Sequence, residues 1–240
     1  MTTLPTRKDE AWRYSDLGAV ARLWPVPPAT VIDVPAGESA ARHLIADSGI
    51  HDYAITLGAG ARMDFHVLNA TDAYGRIAID VTLHDGAHFE FGGVQVAGGS
   101  ANLEIITTIR HIEPNATSRQ VVRSVLGGTA TGSYLGKVAV ARDAQKTDSV
   151  QSVKAMLLTR TATANAKPEL EIYADDVKCA HGATVGELDK TALFYLAARG
   201  IPPVEAQTLL LQAFVAEVFE GAAAQDELEA AALAALGRLS

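Results

Sequence analysis

From about Tyr53 to about Tyr173 the hydrophobic pattern of this chain repeats every second residue. Met63, Phe65 and Val67 alternate with Arg62, Asp64 and His66. Ile77, Ile79, Val81 and Leu83 alternate with Ala78, Asp80 and Thr82, and Phe89 and Phe91 alternate with His88 and Glu90. Leu103, Ile105 and Ile109 continue the pattern around Thr107. A period of two puts apolar side chains on one face of a half-buried strand. Gly86, Gly92–Gly93, Gly98–Gly99 and Gly127–Gly128 are expected to supply turns between the strands. No helical pattern interrupts the run. Such a stretch folds as a sandwich, a barrel or a β-solenoid. We see no crisp internal repeat, so periodicity alone leaves the three open.

The flanks read differently. Pro5, Pro25, Pro27, Pro28 and Pro35 break residues 1–50 into short pieces, with helical turns expected at Ala11–Leu17 and Ala40–Ala46. Trp12 and Tyr14 read as core anchors, with docking residues as the alternative. After Gly186 the period becomes helical. Asp189 is the expected N-cap for a helix over Lys190–Arg199, with Gly200 as its left-handed terminator. Pro202 and Pro203 open a second helix, whose stripe is Val204, Leu211, Phe214, Val215 and Val218, and Gly221 ends it. A third, alanine-rich helix is expected over Ala224–Leu236. The expected organisation is a mixed, partly helical segment at 1–50, a β core at 51–185 and an antiparallel helical cap at 186–240.

Composition narrows the function. Of 240 residues, 48% are hydrophobic, enough for a sizeable core. The net charge of −8 disfavours nucleic acid or an anionic membrane as principal partner. A single cysteine excludes an internal disulfide framework and fits a reducing, cytoplasmic setting. The amino-terminal residues lack the apolar core of a secretory signal, and no apolar run is long enough to span a bilayer.

Chemistry concentrates between Lys167 and Gly200. If Val177–His181 is extended, Cys179 and His181 share a face. A thiol sulfur beside an imidazole nitrogen suits zinc, copper or iron–sulfur chemistry. Two ligands do not complete a four-coordinate site, so the others must come from far along the chain or from a second subunit. The plainer alternative is a small buried thiol beside a solvated histidine. A thiol–histidine catalytic dyad is disfavoured, because side chains two apart on a strand run nearly parallel. His84 and His88 flank Asp85–Gly86, a turn signal, and so do not form a helical ligand pair. Gly132–Lys137 lacks Walker A spacing and is followed by Val138, and no G-x-S-x-G is present.

The same region carries a family resemblance. Lys167–Pro168, the run Leu170–Cys179 and His181–Gly186 resemble the carboxy-terminal signature of the SufB/SufD family of iron–sulfur cluster assembly proteins. Leu193–Leu196, Arg199–Pro202 and Ala144–Asp148 extend it, and Leu4–Arg7 with Glu10–Tyr14 resembles the family's amino-terminal signature. The resemblance is strongest over residues 115–220 and closest to the D-type subunit.

It implies a right-handed parallel β-helix core, a short N-terminal segment and a C-terminal α-helical region. It implies a non-enzymatic cytoplasmic subunit that helps build a transient Fe–S cluster at an interface with a SufB-like paralogue. His181 is the implied ligand, with Cys179 as a second, and Asp175 and Asp176 either tune the site or form a solvated turn. A separate SufC-like ATPase is implied to dock on residues 190–220, with no ATP bound by this chain. The segment before the strands is shorter than is common in the family, and Val153 replaces a frequent asparagine. No counterpart of the B subunit's sulfur-accepting cysteine exists, which agrees with a D-type assignment. Two other classes are a β-helix carbohydrate-active enzyme and a metal-free structural homodimer. Self-association of the isolated chain is compatible with the D-type reading as well.

Overall fold

A computed structural model describes residues 3–239. Among the described residues twelve strands form two six-stranded parallel sheets: β1 (Thr30–Val34), β2 (Ser39–Ala46), β3 (Gly49–Leu57), β4 (Arg62–Asn69), β5 (Tyr74–Leu83), β6 (His88–Ala97), β7 (Asn102–His111), β8 (Thr117–Leu126), β9 (Thr131–Val140), β10 (Asp148–Leu157), β11 (Thr163–Ile172) and β12 (Lys178–Gly186). Odd-numbered strands order as β1-β3-β5-β7-β9-β11, and even-numbered strands as β12-β10-β8-β6-β4-β2. The chain alternates between sheets, so each coil contributes one strand to each, and the stack is a parallel β-solenoid of about 5 turns. Coils superpose in register: Thr117 pairs with Asp148, and Asp148 with Lys178. The repeat is therefore about 30 residues, within the usual range for solenoids.

The core lies between the sheets. Met63, Phe65, Phe89 and Phe91 from the even sheet meet Ile77, Ile79, Val81, Ile105 and Ile109 from the odd sheet, all buried. Each such side chain contributes about 1.5–3 kcal/mol on burial. One corner of the stack is a column of tight turns. Gly60, Gly86, Asn115 and Lys146 all adopt positive φ, and each donates its amide to a carbonyl of the next coil's turn. Asn and Lys there accept a conformation that glycine takes freely.

Several expectations are corrected. Strands begin at Thr30, inside the segment read as mixed and helical, and Ala40–Ala46 belongs to β2 (Ser39–Ala46) rather than a helix. Its local alanine preference yields to pairing with β4 (Arg62–Asn69) and to packing of Ala40 and Leu44 on the core. Helical structure near the amino terminus is a single 3-10 turn at Glu10–Trp12 and helix α1 at Leu17–Leu23, which Asp16 caps. Gly92–Gly93 is not a turn but lies within β6 (His88–Ala97). A Cβ on Gly92 would come 2.4 Å from His66 Cδ2 and 2.8 Å from the Val218 carbonyl.

The carboxy-terminal helices are α2 (Lys190–Ala198), α3 (Pro203–Ala216) and α4 (Gln225–Gly237). Asp189 accepts from the Thr191 amide, and Gly200 and Gly221 take positive φ, as the punctuation predicts. Helices α3 and α4 do not close the end of the coil stack. Leu211, Val215, Leu228, Ala232 and Leu236 pack on Leu68, Val94, Val96 and Val125, the outer face of the even sheet. Val204 was expected in that stripe but is 71% exposed. Residues 10–24 cover the opposite wall, where Val20, Ala19 and Trp12 pack on Tyr74 and Ile50. Trp12 is thus a partly buried anchor. No helix among the described residues is long and apolar enough to cross a membrane.

Candidate functional site at the open end of the solenoid

β12 forms the last edge of the even sheet, with β10 (Asp148–Leu157) as its only hydrogen-bonded neighbour among the described residues. Register decides where its side chains point. Cys179 lies opposite Ser149 and His181 opposite Gln151. Ser149 and Gln151 are each 1% exposed and face the core. Cys179 and His181 therefore continue two core-facing columns and share one face, as the extended reading requires. Cys179 still packs against the core, whereas His181 is exposed, with no further strand among the described residues to cover it.

Both columns change character along the stack. One runs Met63, Phe89, Ser118, Ser149, Cys179, and the other Phe65, Phe91, Gln120, Gln151, His181. The apolar first coils give way to a polar interior as the open end approaches. On the facing sheet the core-facing side chains that carry polar groups into this interior are Thr107, His111 and Tyr134. They form two connected lines. Thr107 Oγ1 donates to Gln120 Oε1 at 2.6 Å, Tyr134 Oη donates to the same oxygen at 3.1 Å, and Gln151 Nε2 lies 3.4 Å from Tyr134 Oη. In the other line His111 Nε2 lies 3.0 Å from Ser118 Oγ, which lies 2.9 Å from Ser149 Oγ. A buried polar group without a partner costs free energy, so such an interior is tolerable only as a network. Val153, by contrast, is 3% exposed in an apolar part of the core, which suits valine there.

Burial, and next the nearby Asp148 carboxylate, raise the pKa of the Cys179 thiol. At neutral pH it is a protonated thiol that must lose its proton to bind a metal. The thiol and imidazole form a soft–borderline donor pair of the kind that holds iron–sulfur species. Among the described residues no group of three or more His, Cys, Asp or Glu is arranged to hold a metal ion. The pair thus fits a cluster only as one side of a shared site. Asp176 sits in the turn before β12, ion-paired with Lys146 and with its amide donating to Gln145 Oε1. His84 and His88 face different partners, Glu113 at 3.1 Å and Thr117 at 2.7 Å.

The sequence reading missed the polar columns. Their signal was present: Ser118-x-Gln120, Ser149-x-Gln151 and Cys179-x-His181 repeat one pattern at the coil spacing.

The fold is a parallel β-solenoid whose open end presents a thiol and an imidazole on one face of its last strand. Comparison with known proteins places a solenoid of this kind in a family. The family model for "SUF system FeS cluster assembly, SufBD core domain" matches residues 47–214, and the chain belongs to that family. It is similar to the iron–sulfur cluster assembly protein SufD of Escherichia coli, at 40% identity over 133 residues, 55% of this chain and 31% of the relative. An iron–sulfur cluster assembly SufBD family protein of Synechocystis is 31% identical over 166 residues, 69% of this chain and 34% of the relative. SufD of Bacillus subtilis is 30% identical over 150 residues, 62% of this chain and 32% of the relative. The chain spans about a third of the length of these relatives. Within the family it is SufD-like.

Proposed function

We propose that this chain acts as a SufD-like, non-catalytic subunit in cytoplasmic SUF iron–sulfur cluster assembly. Its contribution to the nascent cluster is His181, with Cys179 as a second donor. The cluster is cargo, and its remaining ligands come from a SufB-like paralogue seated against the open end. One observation carries this reading: the registered coil stack delivers a Cys-x-His pair to the end of a polar core and leaves the histidine uncovered. An imidazole exchanges more readily than a thiolate, which suits a site that builds a cluster and then releases it. The edges of β11 (Thr163–Ile172) and β12 supply unpaired backbone groups for the paralogue.

The ATPase partner is assigned to the helical face. Phe194, Tyr195 and Val204 are 74%, 56% and 71% exposed, an apolar patch on α2 and the start of α3. ATP-driven association of two ATPase subunits would pull on these helices and strain the paired end.

The test is anaerobic cluster reconstitution in the assembled complex, followed by optical absorption. His181→Ala should abolish the iron–sulfur bands while leaving the complex intact. Equal cluster loading in the variant would refute the ligand assignment. A metal-free homodimer through the same edge predicts a dimer in sedimentation that a SufB-like partner does not dissociate.

A further inference from the structure

We infer that Gln151 is a positioning residue for His181, the last link of a directional hydrogen-bond chain running along the solenoid core. The inference rests on the reading of His181 as a ligand.

The direction follows from counting protons. Gln120 Oε1 accepts from Thr107 at 2.6 Å, and Tyr134 Oη lies 3.1 Å from that oxygen and 3.0 Å from Thr107 Oγ1, so the phenol proton is committed to this pair. With its own proton committed, Tyr134 Oη can only accept from Gln151, so Gln151 turns its NH2 group inward. The amide is planar, and its oxygen must then point away from Tyr134. That oxygen, Gln151 Oε1, is buried and without a hydrogen-bond partner among the described residues. Buried acceptors left unmatched are uncommon and costly.

One strand beyond lies His181, register partner of Gln151 and on the same core-facing column. No hydrogen bond from its ring to any described residue is present, and its side chain is exposed. Gln151 donates toward the coil before it. A ring N–H of His181 donating to Gln151 Oε1 continues that same sense by one coil and satisfies the orphaned oxygen. The consequence is chemical. An acceptor can take only a protonated nitrogen, so the contact selects one neutral tautomer and directs the other nitrogen's lone pair outward, where a metal is ligated. Gln151 touches no cargo. It acts through the orientation of His181, and Tyr134 acts one step further back by holding the amide.

Nitrogen-15 NMR of the cluster-free 240-residue chain reads the tautomer directly. The His181 signals are assigned by their loss in His181→Asn, at a pH above the ordinary imidazole pKa. The wild type should show one dominant tautomer. Gln151→Met, of similar shape but without an acceptor, should collapse the His181 pair toward the averaged shifts of a free imidazole. Gln151→Glu, which keeps an acceptor, should retain the wild-type pair. An unchanged His181 pair in Gln151→Met, or an averaged pair in the wild type, would overturn the inference. If Gln151→Met does not fold, Tyr134→Phe decides: partial averaging supports the chain, and no change refutes it. Because this readout needs no cluster, its failure is separate from that of His181→Ala in the reconstituted complex.

Discussion

Arg76 and Glu104 lie on neighbouring strands of the odd sheet, with Nη1 2.8 Å from Oε2, and their side chains are only 4% and 1% exposed. The N-terminal segment is what shields them. Trp12 lies over the guanidinium at 3.8 Å, Ser15 Oγ donates to Glu104 Oε2 at 2.8 Å, and Arg76 Nη1 donates to the Ala11 carbonyl. Tyr74 Oη completes the set at 2.9 Å from Glu104 Oε1. Residues 10–24 are thereby bonded to the solenoid wall through a buried charge pair.

Removing one member of such a pair leaves the other charge uncompensated. Glu104→Leu should destabilise the chain by about 3–5 kcal/mol in urea unfolding. It should also loosen residues 10–24 to limited proteolysis. A protease pattern identical to the wild type would show that the segment is held by apolar packing alone.

His111 supplies a pH dependence. Burial pulls its pKa down from 6.5 to about 4. Above pH 6.5 the ring is neutral in both folded and unfolded chains, and its protonation does not affect folding. As pH falls from 6.5 toward 4, only the unfolded chain gains the proton, so stability falls across that window and levels off below it. The span corresponds to about 3 kcal/mol. Thermal melting from pH 7.5 to 4 should show less acid sensitivity in His111→Gln than in the wild type.

Much of this architecture is legible from residues alone, and the parts that are not have physical causes. Alternation at Ile77–Leu83 and Met63–Val67 reports strands because one face of each is buried. Asp189, Gly200 and Gly221 punctuate helices because their backbone chemistry is local. Ala40–Ala46 misleads because pairing with β4 overrides alanine's helical preference. Gly92 misleads because its reason for being glycine, room for His66 and the Val218 carbonyl, is contributed by distant residues. The coil repeat escapes notice because apolar residues fill the early positions of columns that end in Gln151 and His181. Side chains alone do not say that Phe65 and His181 occupy equivalent places.

Gly92→Ala follows from that crowding. His66 can yield, but the Val218 carbonyl is backbone, so the added methyl should push the end of α3 off the sheet. A loss of about 1–3 kcal/mol is expected, with faster amide exchange around Val218. Gly182→Ala is the control, since nothing lies within 4 Å of a Cβ there.

The exposed helical patch predicts a binding phenotype without a folding one. Phe194→Asp with Tyr195→Ser should leave the melting temperature within about 1 °C, because neither side chain is buried. Affinity for the ATPase proposed to dock there, measured by calorimetry, should fall at least about tenfold. Unchanged affinity would move the docking surface elsewhere.

The polar columns reach β12 unfinished, and that has a geometric consequence. What this protein presents at its open end is a cross-section through its own interior. The residues there are arranged as core residues are, in register and on rigid strands, and yet they meet the outside. One additional coil laid on β12 would seal His181 as Gln151 is sealed, turning the proposed ligand into a structural hydrogen-bonding side chain. Reactivity at this position is thus a matter of where the winding stops.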